Sequence, residues 1–174
     1  MADAELTLLA DALDRVREVV QDVLTDVTQE QLDTRPAPGA NPVGWLVWHL
    51  TRVQDDHLAK AAGARQTWDD GWRERFGLDL DDQDGIGYGH TGAQVDAVRA
   101  PAELLADYHD AVNAASTRWL RALSPGELSR VVDDSYDPPV TLAVRLVSVV
   151  QDDLMHAGQA AYAAGIVSRV SASG

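Results

Sequence analysis

The chain of 174 residues contains no cysteine, a single lysine (Lys60), a single phenylalanine (Phe76) and two methionines. Without cysteine there is no disulfide, no thiolate metal ligand and no cysteine nucleophile, so any thiol chemistry must use a thiol supplied from outside. Cations are scarce as well. Only 14 Lys and Arg stand against 28 Asp and Glu, a formal net charge of -14. That is the wrong sign for a phosphate backbone or an anionic lipid surface, and neither nucleic acid nor membrane is an expected partner. Apolar runs approaching the ~18 residues of a membrane span are missing. The opening "MADAELTLLADAL" carries acids where a signal peptide carries bases, so the expected location is cytoplasmic. Internal repeats, low-complexity tracts and domain linkers are also missing, and a sustained strand period of two is not seen. With 45% hydrophobic residues, residues 1–174 read as one globular domain able to bury a single substantial core.

What is present is helical periodicity. Leu6, Leu9, Leu13, Val16, Val20 and Val23 recur at spacings of three and four with charges between them, predicting an amphipathic helix over 5–24. Asn41-Pro42 opens a second, with Asn as its cap, and Gly63 stops it. Leu104, Leu105, Tyr108, Val112, Ala115, Trp119 and Leu123 mark a third over 101–123, and a fourth is expected from Thr141 to Ala164 with Gly165 as its end. Capping spacings at Thr28/Gln31, Thr91/Gln94 and Ser124/Glu127 announce short extra helices. Residues 63–100 read as a long irregular crossover holding Trp68, Trp72 and the acidic stretch "LDLDDQDG". Four long helices with one long crossover describe an all-α four-helix bundle.

Five histidines are available: His49, His57, His90, His109 and His156. His49 has the most apolar neighbours, while His57 and His109 read as partly exposed surface residues. Asp152 and His156 stand four apart and so project from one helical face. Such a pair, joined by a third donor from a facing helix, gives a three-ligand metal site with open positions. On spacing alone a local ion pair on a solvated face is the simpler explanation of Asp152 and His156. Glu-x-x-His does not occur, which disfavours a ferritin-like carboxylate site, and His-Glu-x-x-His and glycine-rich phosphate loops are absent too.

Three stretches, "NPVGWLVWHLTRV", "GYGHT" and "DDLMHAGQAAYAAG", resemble the DinB-like superfamily. Within it they resemble the actinobacterial group of mycothiol S-transferases and the metal-binding domain of mycothiol-dependent maleylpyruvate isomerase. The resemblance covers nearly the whole chain and implies a DinB-like four-helix bundle in which His49, Asp152 and His156 hold a divalent metal, Zn first and Ni second. Asp152 stands where that family more often has His or Glu. The chain stops soon after the fourth helix, so the isomerase's additional domain, and with it that isomerisation, is not expected. What the resemblance does imply is transfer of mycothiol, a low-molecular-weight thiol cosubstrate, to a small-molecule electrophile. His90 is a candidate acid/base residue or substrate contact, and Gln159 a candidate pocket-lining amide; loop packing and a surface amide account for them as well. Trp45, Trp48, Trp68 and Trp72 either wall the pocket or fill the core. Competing readings are a non-catalytic metal-binding or stress-associated bundle and a metal-assisted hydrolase. A homodimer is compatible with all of them.

Overall fold

A computed structural model describes residues 4–78 and 85–171. Seven α-helices are found among them: α1 (Ala4–Thr25), α2 (Gln29–Asp33), α3 (Val43–Ala62), α4 (Trp72–Phe76), α5 (Gly92–Ala97), α6 (Ala102–Ala122) and α7 (Leu142–Ser171). The four long ones, α1, α3, α6 and α7, form the expected bundle, with α7 packed along α3 and α1, and α6 completing the ring. Most of the acidic stretch of the crossover, residues 79–84, lies outside the described residues.

Local rules account for most of the boundaries. Thr28 and Thr91 each accept from the amide three residues on, while Gln31 and Gln94 return the bond to the cap amide, closing two capping boxes. Gly63 takes the left-handed conformation (φ 64°) that ends α3. The start of α3 departs from expectation: Pro42, rather than Asn41, is the cap residue, and no side chain caps the first turn. The fourth helix runs through Gly165 to Ser171, because glycine costs a helix interior only about 1 kcal/mol and Ala163 and Val167 on either side are buried. A two-stranded antiparallel hairpin, β1 (Val131–Asp133) with β2 (Val140–Thr141), also appears ahead of α7. Its strands are too short to leave an alternating pattern in sequence.

Helix α3 is the structural centre. All but His57, Lys60 and Ala62 of its residues are buried, because the crossover covers the face that the other long helices leave open. A knot of buried polar groups makes the attachment. Arg52 donates through Nε to the Gly85 carbonyl (2.8 Å), through Nη1 to Tyr108 Oη (2.9 Å) and Asp55 Oδ2 (3.2 Å), and through Nη2 to Gln66 Oε1 (2.8 Å). Asp55 in turn accepts from Tyr108 Oη and from the amides of Thr67 and Trp68. An ion pair this buried repays its desolvation only when its remaining donors and acceptors are matched, as they are here.

The apolar core falls into two clusters. One joins Val16, Val20 and Leu24 to Trp45, Trp48, Tyr108, Ala157 and Ala160; the other joins Ala10 and Leu13 to Leu58, Leu120, Leu142, Leu146 and Val149. Buried polar residues, among them Gln54, Asn113, Ser116 and Asp153, occupy intermediate positions along the same helices. His109 belongs with them: it is fully buried and not a surface residue, because it lies on the inward stripe of α6 between Leu105 and Val112. His57 is partly exposed, as expected.

Candidate metal centre

The inward stripe of α7 runs Leu142, Leu146, Val149, Asp153, Ala157, Ala160. One residue before Asp153, a rotation of about 100° brings Asp152 to the flank of the helix, half-buried, and His156 follows it one turn on. Across from them, the middle of α3 presents His49, which is 2% exposed. The three predicted ligands thus converge from two facing helices, with candidate ligand atoms all within 4.8 Å of one another. The His49 and His156 rings meet edge to face, centroids 4.8 Å apart.

Hydrogen bonding sets the tautomers. Nδ1 of His49 is bonded to the Ile86 carbonyl oxygen, and a carbonyl only accepts, so that nitrogen carries the proton and Nε2 keeps its lone pair. Nδ1 of His156 donates likewise to the Asp152 main-chain carbonyl (2.9 Å). Both imidazoles are therefore held in the tautomer that leaves Nε2 available to a metal, the arrangement in which a carbonyl behind the ring orients a ligand. Asp152 contributes an oxygen of the matching kind: its Oδ2 is buried with no hydrogen-bond partner among the described residues, with His156 Nδ1 3.4 Å away in an ion-pair contact. Its Oδ1 accepts from Tyr88 Oη (3.4 Å). Two lone-pair nitrogens and an unsatisfied carboxylate oxygen fit a borderline divalent cation such as Zn or Ni.

The electrostatics agree. Desolvation lowers the His49 pKa to about 4, so the ring is neutral at physiological pH. Burial opposes ionisation of Asp152, but His156, His49 and Tyr88 outweigh it and hold the carboxyl below its ordinary value. The Asp152 carboxylate in contact with Nδ1, together with the bond to its main-chain carbonyl, raises the His156 pKa against the effect of burial, so a cation bound here would compete with a proton.

The segment 85–90 forms the outer wall, and its approach depends on Gly87. At φ 95°, a Cβ on this residue would lie 2.7 Å from His49 Nδ1 and 3.1 Å from ring atoms of both Trp45 and Trp48. Trp45 stacks on His49 at 4.6 Å and donates its indole N–H to His90 Nδ1 (3.1 Å), so neutral His90 carries its proton on Nε2. His90 also stacks on Trp48, with centroids 5.7 Å apart. It thus borders the site but does not join the ligand cluster. Gln159 is exposed on α7, one turn beyond His156. Of the four tryptophans weighed as pocket walls, Trp45 and Trp48 lie at the site, whereas Trp68 and Trp72 pack on Tyr108 beside α3's polar knot. Tyr88, Gly87 and the Ile86 carbonyl were not singled out by residue type. Two glycines flanking an aromatic in "GYGHT" are the trace they leave.

Residues 12–160 match the sequence profile of the DinB superfamily. The chain belongs to this superfamily. A crystal structure described as the conserved protein of a locus from Enterococcus faecalis is similar to this DinB-superfamily protein with a TM-score of 0.86 and 36% identity, over 92% of this chain and 95% of that one. No curated protein matches at a significant level. Members of the superfamily often bind metal, which accords with the His49, Asp152, His156 cluster. No helix among the described residues is long and apolar enough to cross a membrane.

Proposed function

We propose that this DinB-superfamily protein is a divalent-metal-dependent S-transferase that joins a low-molecular-weight thiol, mycothiol by resemblance, to an electrophilic small molecule. The observation that carries the proposal is the pair of carbonyl-anchored imidazoles facing an unsatisfied carboxylate oxygen in a chain without any thiol of its own. His49, Asp152 and His156 hold the cation, with Zn and Ni as the leading occupants. A divalent ion with open coordination positions supplies Lewis acidity that favours the ionised form of an incoming thiol at neutral pH.

The protein's own groups do the remaining work. Trp45 and Trp48 exclude water from one side. Tyr88 Oη, which lies against Asp152, keeps its proton to high pH because burial and the Asp152 charge both raise its pKa. It orients the carboxylate by donating to it. His90, held against Trp45 and Trp48 at the rim, is the assigned acid toward the substrate's leaving group or developing anion. Gln159 lies on the exposed side of α7 as the candidate cosubstrate contact.

The test has two stages. Elemental analysis of protein purified without chelator, or after incubation with Zn or Ni, is expected to show about one ion per chain. The loaded protein is then expected to consume mycothiol with a chlorinated aromatic or bimane electrophile, faster than it consumes glutathione. Failure to take up any divalent ion removes the metal reading. Metal uptake without catalysed consumption of any thiol leaves a non-catalytic metal-binding bundle or a hydrolase and removes the transferase.

A further inference from the structure

In a chain with 28 acids against 14 bases, a cluster of bases is unexpected, yet one occurs around a cavity away from the three candidate ligands. The cavity, of about 220 Å³, opens where the end of α3 and the start of α7 meet the β1–β2 hairpin. His57 and Lys60 border it from α3, Arg145 from α7 and Tyr136 from the hairpin loop, over an apolar wall of Ala61 and Val132. The acids nearby are already engaged. Asp133 accepts through Oδ1 from the Ser135 amide (3.1 Å) and hydroxyl (2.6 Å), and through Oδ2 from Arg145 Nη2 (3.0 Å). Asp56, buried next to His57, accepts from Gln66 Nε2 and Lys60 Nζ, both at 2.8 Å. The donors are not so committed. Arg145 Nε and Nη1, the remaining protons of Lys60 Nζ, His57 Nε2 and the Tyr136 hydroxyl have no partner among the described residues.

We propose that this cavity is a binding site for the carboxylate group of a small molecule. Charge sets the class. Lys60 and Arg145 bring two positive charges to the lining and Asp133 one negative, leaving one in excess, and Asp56 beside Lys60 tempers even that. Such a balance suits a monoanion and falls short of a phosphate dianion. The site is also prepared in advance. The bond to Asp133 holds the Arg145 guanidinium in place, with its side chain 21% exposed, so a charge-assisted bond to it forms with little loss of side-chain freedom. Val132 and the Tyr136 ring offer apolar contact to whatever carries the carboxylate. Arg145 precedes Asp152 by seven residues, two turns of α7, which puts it on the same flank about 10 Å away. Its charge favours ionisation of Tyr88, the residue bonded to Asp152, and the charge of Asp152 acts in turn on His57. The cavity therefore neighbours the candidate metal centre. On the transferase reading, on which this one step rests, the ligand is a substrate whose carboxylate lies about 10 Å from its reacting atom.

Proton–nitrogen correlation NMR of the metal-free full chain, titrated with benzoate, tests the site without metal or thiol. Benzoate is expected to bind with a roughly millimolar constant, shifting the amides of residues 57–61, 131–136 and 145. Benzamide, its uncharged counterpart, should bind about tenfold more weakly or less, and phenyl phosphate no better than benzoate. Arg145→Gln and Lys60→Gln should each weaken benzoate about tenfold, as expected for a lost hydrogen bond to a charged group. Arg15→Gln removes the same charge from the surface of α1 and should change binding less than about twofold. The Lys60 side chain is 70% exposed, so Lys60→Gln remains a fair test even where Arg145→Gln loosens the hairpin. Absence of binding overturns the proposal, as do shifts confined to the surroundings of His49 and His156, equal binding of benzamide, tighter binding of phenyl phosphate, or an Arg15→Gln effect as large as that of Lys60→Gln. In the transfer assay both variants should raise KM for a carboxylated electrophile and leave KM for its amide unchanged; an unaltered KM overturns the substrate step. Benzoate binding by a protein that transfers no thiol removes the transferase reading and leaves the site.

Discussion

Replacing Gly87 by alanine isolates the contribution of the crossover to the candidate metal centre. Two costs are added. The first is conformational: at φ 95° an L-residue pays about 1–2 kcal/mol. The second is contact, since the new Cβ would lie 2.7 Å from His49 Nδ1 and 3.1 Å from Trp45 and Trp48. None of these neighbours is the loose end of a flexible chain. His49 is 2% exposed, Trp45 5% and Trp48 1%, so the loop yields, carrying the Ile86 carbonyl away from His49. Loss of such an orienting partner weakens metal binding by about 10–100-fold. Gly89 is the internal control: it also has positive φ (75°), but a Cβ there would meet nothing within 4 Å. Gly89→Ala thus carries the backbone cost without the collision. Thermal melts of the metal-free proteins should show both variants lowered by about 2–8 °C, with Gly87→Ala lower. Competition against a chromophoric chelator should show weakened Zn binding for Gly87→Ala alone. Wild-type affinity in Gly87→Ala, or equal weakening in Gly89→Ala, would refute the role assigned to the Ile86 carbonyl.

Neighbouring acids on α7 should behave oppositely. Asp152→Ala is expected to abolish stoichiometric metal uptake in elemental analysis, whereas Asp153→Asn keeps it. Asp153 is fully buried with both oxygens unpartnered among the described residues, and burial beside the charge of Asp152 raises its pKa well above the ordinary value. The folded chain therefore retains a proton that the unfolded chain sheds above about pH 3.9. This group costs stability as pH rises, so the gain in melting temperature from Asp153→Asn should be larger at pH 7 than at pH 4. His109 has the reverse sense: burial lowers its pKa to about 4, and the unfolded chain binds the extra proton below about 6.5. Its contribution is complete at pH 7 and falls by about 3 kcal/mol on acidification through pH 6.5 to 4. Urea titrations should show that slope reduced in His109→Gln, and an unchanged slope would disprove the assignment. Arg52→Met should cost about 3–5 kcal/mol, because it leaves Asp55 buried and charged without its cation; a loss below 1 kcal/mol in the same assay would show the knot to be dispensable.

Much of this was legible in the residues because helices advertise themselves locally. Leu6, Leu13, Val16 and Val20 are buried as their spacing demands, and three capping boxes form where their residue pairs stand. The candidate ligand cluster was legible in part because two of its members share a helical face. The third needed a fact about pairing between helices, which the resemblance supplied and spacing could not. What escaped notice was set by tertiary contact. His109 looks like a surface histidine until α6 is placed against α1 and α3; Arg52 and Asp55 look like solvated charges until the crossover folds over them. Which of the adjacent acids Asp152 and Asp153 faces inward was not legible either. The inner position belongs to Asp153, since apolar residues on both sides of α7 leave its rotation undetermined by sequence alone.

The two imidazoles at the centre depend on different parts of the chain. His156 is anchored to a carbonyl of its own helix one turn back, so its aim is settled as soon as α7 forms. His49 is anchored to Ile86, a residue of the crossover. A lineage can therefore rewrite the 85–90 segment, altering the reach or basicity of a single candidate ligand and the shape of the entrance together, while the bundle and the other two candidate ligands keep their geometry. Diversification of reactivity on this scaffold should accordingly be concentrated in a few crossover positions, and a library confined to them would sample it without jeopardising folding.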